Sequence, residues 1–266
     1  MTIGSLARLM PGTGLTVSPR RASRLVERNV HVYRRNWLLI VSGFFEPLFY
    51  LLGLGIGLGA LVGDVDGVPY AVFVAPALMA TAAMNGALSD STYNMFFKLK
   101  YAKTYDAILS TPLGVGDVAA GEVTWALIRG VIYAVGFIVV MLLLGLVISP
   151  LAIFAVPAAL LIGFATAGVG TAACTYMRTW QDFDLITVVT LPMFLFSATF
   201  FPITQYPPAL QLVVEVTPLY RGIHLIRGLT TGTADWTVLI DISYLLVLGL
   251  VGLSLTSRRL GRMLLK

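Results

Sequence analysis

Charge is scarce in this 266-residue chain: 12% of positions are Asp, Glu, Lys or Arg, against 58% hydrophobic residues. That leaves too little polar surface to cover a water-soluble globule. Cysteine is nearly absent. The single Cys174 lies in an apolar run, so no disulfide framework and no multi-cysteine metal site can form within one chain. Histidine is as sparse: His31 and His224 fall on opposite sides of the membrane in the topology argued below, which excludes a metal or nucleophile site built on two histidines. The phosphate-cradling pattern GxxxxGK[ST] does not occur. These absences leave no catalytic residue, no metal ligand set and no cofactor site in the polypeptide. A removable signal peptide is not expected either, because the first long apolar run begins only near Trp37 and carries no small-residue cleavage signal.

What the chain has in abundance is apolar sequence cut into lengths of about 20 residues, the span of a bilayer core. Such runs occupy residues 37–61, 69–88, 123–148, 151–176, 185–201 and 236–255. The expected fold is an all-α polytopic membrane protein with six transmembrane helices. The net charge of +5 does not point to nucleic acid, because the basic residues sit beside and between the runs. Seven arginines from Arg8 to Arg35 precede the first run, Lys98, Lys100 and Lys103 follow the second, Arg178 follows the fourth, and Arg258, Arg259, Arg262 and Lys266 end the chain. Six spans put all of them on one side, and cytoplasmic segments are the ones that retain Lys and Arg. Both termini are therefore expected in the cytoplasm, with the protein multi-pass in the cell membrane.

The segment between the fifth and sixth runs is apolar but broken by Pro207, Pro208, Pro218, Arg221 and Arg227. A seventh crossing there would send the Arg258-Arg259 cluster outside. The expectation is two short helices, near 209–216 and 220–229, forming a re-entrant hairpin over 203–232 in the outer leaflet, where irregular backbone must be buried in protein or face water. Upstream, residues 18–36 are basic with apolar positions at helical spacing, as in a helix lying along anionic headgroups. Residues 1–17 read as a mobile cytoplasmic tail, 37–256 as the transmembrane domain and 257–266 as a basic cytoplasmic tail.

Between the second and third runs, residues 101–110 form a short helix stopped before Pro112. Its apolar face, Tyr101, Tyr105, Ile108 and Leu109, either fills a groove on a cytoplasmic partner or packs on the protein's own helix ends.

At this point the residues resemble a family. The run Phe45-Glu46-Pro47-Leu48-Phe49-Tyr50-Leu51-Leu52-Gly53 is similar to the first helix of type-2 ABC exporter permeases, especially the lipo-oligosaccharide (nodulation-factor) and drug-exporting branches. Tyr105-Asp106-Ala107-Ile108-Leu109-Ser110-Thr111-Pro112-Leu113, with Asp117 and Gly121-Glu122, resembles that family's coupling helix and the start of its third span. Phe200-Phe201-Pro202-Ile203, Thr217-Pro218-Leu219-Tyr220 and His224-Leu225-Ile226-Arg227 resemble its outer hairpin. The resemblance runs in order from about residue 25 to residue 255. It implies that Tyr101, Tyr105, Asp106, Ile108, Leu109 and Pro112, in a coupling helix over 101–111, receive motion from two copies of a partner ABC ATPase that bind ATP and Mg. It further implies pairing with a second permease copy or homologue, contact with membrane lipids, and an amphipathic, lipid-linked, glycan or drug-like cargo moved outward.

Two sets of charges stand out inside the apolar sequence. A carboxylate as deep as Glu46 needs a partner or a proton; Arg129, at a comparable depth in the third run, is a candidate partner, and Pro47 marks a bend. Asp90 and Asn85 read as cap or interface groups. Arg221, His224 and Arg227 step by three along the second outer helix and share one broad face, read as meeting anionic headgroups. A rival reading is an ion-coupled secondary transporter with Glu46 or Asp241 carrying a proton, although the inverted repeats expected of one are not seen.

Overall fold

The structure, a computed structural model, describes residues 18–35, 45 and 48–264. The expected tail 1–17, Glu46 and Pro47 lie outside the described residues, and of Asp106 and Leu109 only the backbone is described.

The chain is mostly helical, and hydropathy sets the framework. Among the described residues four helices are long and apolar enough to cross a membrane: Tyr70–Tyr101, Gly116–Leu143, Pro150–Cys174 and Thr237–Leu260. Of the expected first run, the described part is helix α2, π-helical over Leu51–Leu58 and α-helical over Gly59–Val62. A two-strand hairpin, β1 (Asp64–Val65) and β2 (Val68–Pro69), turns the chain into α3 (Tyr70–Ser89). Its two-residue turn places Asp66 at φ 50° and Gly67 at φ 77°, the doubly left-handed geometry for which Asp-Gly is suited.

Helix α3 is the hub. Ala75, Ala77, Ala80 and Ala83 are buried, and their small size lets α5 (Val115–Leu143), α6 (Ala155–Cys174), α9 (Pro218–Thr231) and α2 pack around it. The densest seam is between α6 and α10 (Thr237–Leu264). A Cβ added at Gly252 would lie 2.3 Å from the Gly168 carbonyl carbon, and one at Gly168 would lie 2.6 Å from the Gly249 oxygen. Only glycine allows the two backbones this close, the small-residue packing that joins helices where lipid provides no hydrophobic drive.

The fifth expected run differs from its expectation. Helix α7 covers Phe183–Phe196, 14 residues, or about 21 Å at 1.5 Å per residue, shorter than a bilayer core of about 30 Å. Yet it joins the two ends of the bundle. Phe183 stacks on Tyr93 at 4.3 Å, while just past the other end the Ala198 carbonyl accepts from Arg227 at 2.9 Å. The next two helices, α8 (Pro208–Glu215) and α9, stay at that second end. Proline at the first position starts each, and Thr217 caps α9 by accepting from the Tyr220 N–H at 3.3 Å. The chain therefore has a basic end, with Lys98, Lys100, Lys103, Arg178 and Arg259, and an opposite end made of the β-hairpin, α8 and α9.

Candidate functional site

Helix α4 (Thr104–Leu109) is the short helix expected before Pro112. It is reached through two π-helical extensions of α3, Asp90–Asn94 and Phe97–Tyr101, and a sharp corner at Lys103, whose φ of 46° is unusual for a non-glycine residue. Of the two readings left open for its apolar face, Tyr105 follows packing on the protein's own helix ends: it is 1% exposed and sits in a cluster with Leu25, Phe96, Val118, Met177, Phe183 and Leu260. The reason is geometric. Helix α4 folds back under the basic end, so its aromatic face meets the protein's own helix ends, where apolar area can be buried without a partner. Burial, and then the nearby Glu122 carboxylate, hold the Tyr105 phenol well above its usual range.

The other residues of that face divide. Ile108 is half-buried against the same cluster. Tyr101 is 55% exposed and stacks on Trp180 and Phe97. Pro112 is exposed, and its carbonyl accepts from Arg21 Nη1 at 2.8 Å. That bond is one of several that seat α1 (Pro19–Arg35) on the start of α5. The buried Asp117 accepts from the Ser18 N–H at 2.6 Å and the Gly114 N–H at 3.0 Å, and Leu25 lies so close to Gly121 that an added Cβ would fall 2.8 Å from its own Cβ. Arg20, Arg24, Arg28 and Arg34 remain exposed on the opposite face of α1. A second buried bond, Lys98 Nζ to Glu122 Oε2 at 2.6 Å, ties the end of α3 to α5.

Above this end, at the depth of the spanning helices, is a cavity of about 430 Å³ between α3, α5 and α7. Helix α3 presents Leu78, Thr81, Asn85 and Ser89, and α7 presents Thr187, Thr190, Leu191 and Phe194; both sets follow three- and four-residue steps, so each is one helical face. Thr81 donates to the Ala77 carbonyl at 2.8 Å, but Asn85, Ser89, Thr187 and Thr190 have no side-chain hydrogen bond among the described residues. Polar side chains at membrane depth are expensive unless something bonds them. Tyr50 and Phe194, 6.0 Å apart edge to face, make the far wall aromatic.

Arg129 lines the cavity and is partnered. Its Nη1 donates to Asp90 Oδ1 at 2.5 Å and its Nη2 to the Tyr133 hydroxyl at 2.9 Å, while Asn94 also donates to Asp90 at 2.6 Å. Asp90 is thus an ion-pair partner rather than a helix cap. A contact between Glu46 and Arg129 lies outside the described residues.

The outer triplet shares a face, as its spacing requires; that face is half-buried, and each of its side chains has a partner within the protein. Arg227 lies 3.8 Å over the Phe73 ring and donates to the Phe73 and Ala198 carbonyls at 3.2 and 2.9 Å. Arg221 Nη1 lies 3.3 Å from Asp241 Oδ1, and His224 donates from Nδ1 to Asp241 Oδ2 at 2.6 Å. Three polar groups thereby fasten α9 to α3 and α10. Pro202 precedes the 3-10 turn Ile203–Gln205, and Pro218 opens α9. Sequence reasoning missed the hydroxyl stripe of the cavity, although its polar residues recur at helical steps within apolar runs. It also missed Phe73, which nothing in the sequence marks.

The ABC-2 type transporter family pattern matches residues 21–230, most of the chain and most of this site. The chain belongs to the ABC-2 type transporter family. It is 34% identical over 244 residues to Nodulation protein J of Rhizobium leguminosarum bv. viciae, covering 87% of this chain and 94% of that protein. It is 33% identical over 213 residues to Nodulation protein J of Rhizobium meliloti (strain 1021), covering 77% and 81%. To the Inner membrane transport permease YadH of Escherichia coli (strain K12) it is 23% identical over 222 residues, covering 77% and 79%. The chain is an ABC transporter permease, a membrane protein.

Proposed function

We propose that this permease is the membrane half of an ATP-driven exporter, energised by two copies of a separate ABC ATPase that bind ATP and Mg, and paired with a second copy or a homologue. It crosses the membrane six times with both termini cytoplasmic. Five crossings are the four long helices and α7, which reaches from one end of the bundle to the other; the apolar run 37–61 supplies the sixth. The gathering of Lys and Arg at one end favours that end as cytoplasmic. The Escherichia coli relative, an inner membrane transport permease, favours the inner membrane.

The observation that carries the reading is the cavity. Hydroxyl and amide groups, several without a side-chain hydrogen bond among the described residues, line one part and aromatic rings another, at the depth of the spanning helices. Such a lining suits an amphipathic cargo: a lipid-linked, glycan or drug-like molecule that bonds the polar stripe and lays its apolar part on Tyr50 and Phe194. The exposed groups around α4, including Lys103, Ala107, Ser110 and Thr111, are where the ATPase would press.

Reconstitution with the ATPase tests this. ATP hydrolysis should be stimulated by amphipathic cargo. Asn85→Leu with Thr187→Val should raise the concentration needed for half-stimulation about tenfold, since each lost hydrogen bond is worth about 0.5–1.5 kcal/mol. Cargo movement by the chain without an ATPase, driven by an ion gradient, would overturn the reading in favour of a secondary transporter.

A further inference from the structure

Between α6 and α7 the chain turns through Arg178, Thr179 and the 3-10 turn Trp180–Asp182 at the basic end. This turn is stiff: Asp182 Oδ2 accepts from the Arg178 N–H at 2.6 Å and the Thr179 N–H at 3.1 Å. Its aromatic residues do not stand singly in an interfacial belt, as Trp and Tyr commonly do. They form a continuous stack. Tyr101 lies 5.6 Å from Trp180 at 28°, Trp180 lies 5.3 Å from Phe183, and Phe96 meets both Trp180 and Phe183 edge to face at 5.3 and 5.1 Å. Offset and edge-to-face pairs of this kind hold relative orientation as well as distance.

The two ends of the stack matter. Tyr101 is the last residue of the π-helical segment, two positions before the Lys103 corner into α4, and Tyr105 of α4 is buried in the same cluster as Phe96 and Phe183. Phe183 is the first residue of α7, and Thr187, Thr190, Leu191 and Phe194 follow it at four, seven, eight and eleven positions, on one face. A shift of the backbone at Phe183 is therefore a shift at the start of the helix whose face lines the cavity.

We propose that Trp180 is a positioning residue that couples α4 to α7: its ring, clamped between Tyr101 and Phe183, transmits a displacement of α4 into a rotation of the α7 face that lines the cavity. This rests on the proposed function, in which an ATPase moves α4.

The test uses the full permease–ATPase complex in liposomes, with a reporter thiol on the cavity wall (Thr187→Cys, with Cys174→Ser) and a water-soluble maleimide. With Trp180 present, adding a non-hydrolysable ATP analogue should change the labelling rate by about tenfold, the scale of an ordinary coupling between sites. Trp180→Leu should reduce that change to under about twofold while the ATPase still co-purifies and hydrolyses ATP, and Trp180→Phe should restore most of it. An undiminished nucleotide response in Trp180→Leu overturns the proposal. So does loss of ATPase binding in Trp180→Leu, which would make the ring a docking contact, or loss of a folded complex in both variants, which would make it a folding element. If the parent with Trp180 shows no nucleotide response although its ATPase co-purifies, the proposed function itself fails.

Discussion

Two seams of this bundle are built in opposite ways. Between α6 and α10 the glycines at 168, 249 and 252 bring backbone against backbone, with no room for one added carbon. Between α3 and α7, Thr, Ser and Asn face a cavity of about 430 Å³. A seam closed by backbone contact has one arrangement; a seam lined by polar groups around a cavity can take more than one. The contrast assigns rigidity to the α6–α10 side and adjustment to the α3–α7 side, and each half of that statement can be broken separately.

The largest effect is expected at the closed seam. Gly252→Ala puts a methyl 2.3 Å from a backbone carbonyl carbon of α6, which no side-chain rotation relieves. Overpacking ordinarily costs about 1–3 kcal/mol, and a backbone clash belongs at or above the top of that range, about 3 kcal/mol or more. Thermal unfolding in detergent should show a large loss of Tm or no monodisperse protein. Ala82→Ser, on the cavity side, should leave stability within about 0.5 kcal/mol. Equal effects at the two sites would erase the distinction between the seams.

A middle-sized effect is expected where the open seam is pinned. Asp90 and Arg129 are 6% and 11% exposed, and Asp90 also accepts from Asn94. Asp90→Asn keeps the shape but turns a charge-assisted bond into a weaker one, at a cost of about 2 kcal/mol. The Tm should fall by less than in Gly252→Ala. An unchanged Tm would mean that the α3–α5 side of the cavity is not held by this pair.

The same contrast explains what could be read in advance. The long helices were legible because apolar length reports membrane span directly, and the breaks near Pro112 and around Pro218 because proline lacks the N–H that an interior turn needs. The β-hairpin was not read, although Asp66-Gly67 is a pair suited to such a turn. Helix faces were harder. The spacing of Arg221, His224 and Arg227 gave a shared face, but its partners are Asp241, Phe73 and the Ala198 carbonyl, which are far away in sequence or, for a carbonyl, invisible in it. Tyr105 shows the same limit. An apolar face must be covered, but whether by a partner or by the chain itself is decided by the Lys103 corner, for which lysine is no signal. The cavity was least legible, since it belongs to the gap between two faces and to neither alone.

The smallest expected effect sharpens the open side at its hinge. Asp182 is partly exposed, and bonds from the Arg178 and Thr179 N–H groups hold its carboxyl below the usual carboxylate range. The sign follows from linkage: a folded-state pKa lower than the unfolded one means the ionised carboxylate is favoured by the fold, so its contribution is complete above the unfolded value of about 3.9 and disappears as pH falls through the folded value. Near neutral pH the turn should therefore be fully braced and insensitive to small pH changes. Asp182→Asn should reproduce the acid state at neutral pH. Its consequence should be local, because the bonds that Asp182 accepts stay within its own turn. Amide hydrogen exchange at Arg178 and Thr179 should speed up, while exchange across the α6–α10 seam and the global Tm stay as they were. Faster exchange spreading into α6 would mean that this turn braces the closed seam as well, and that the two sides of the bundle are not mechanically separate.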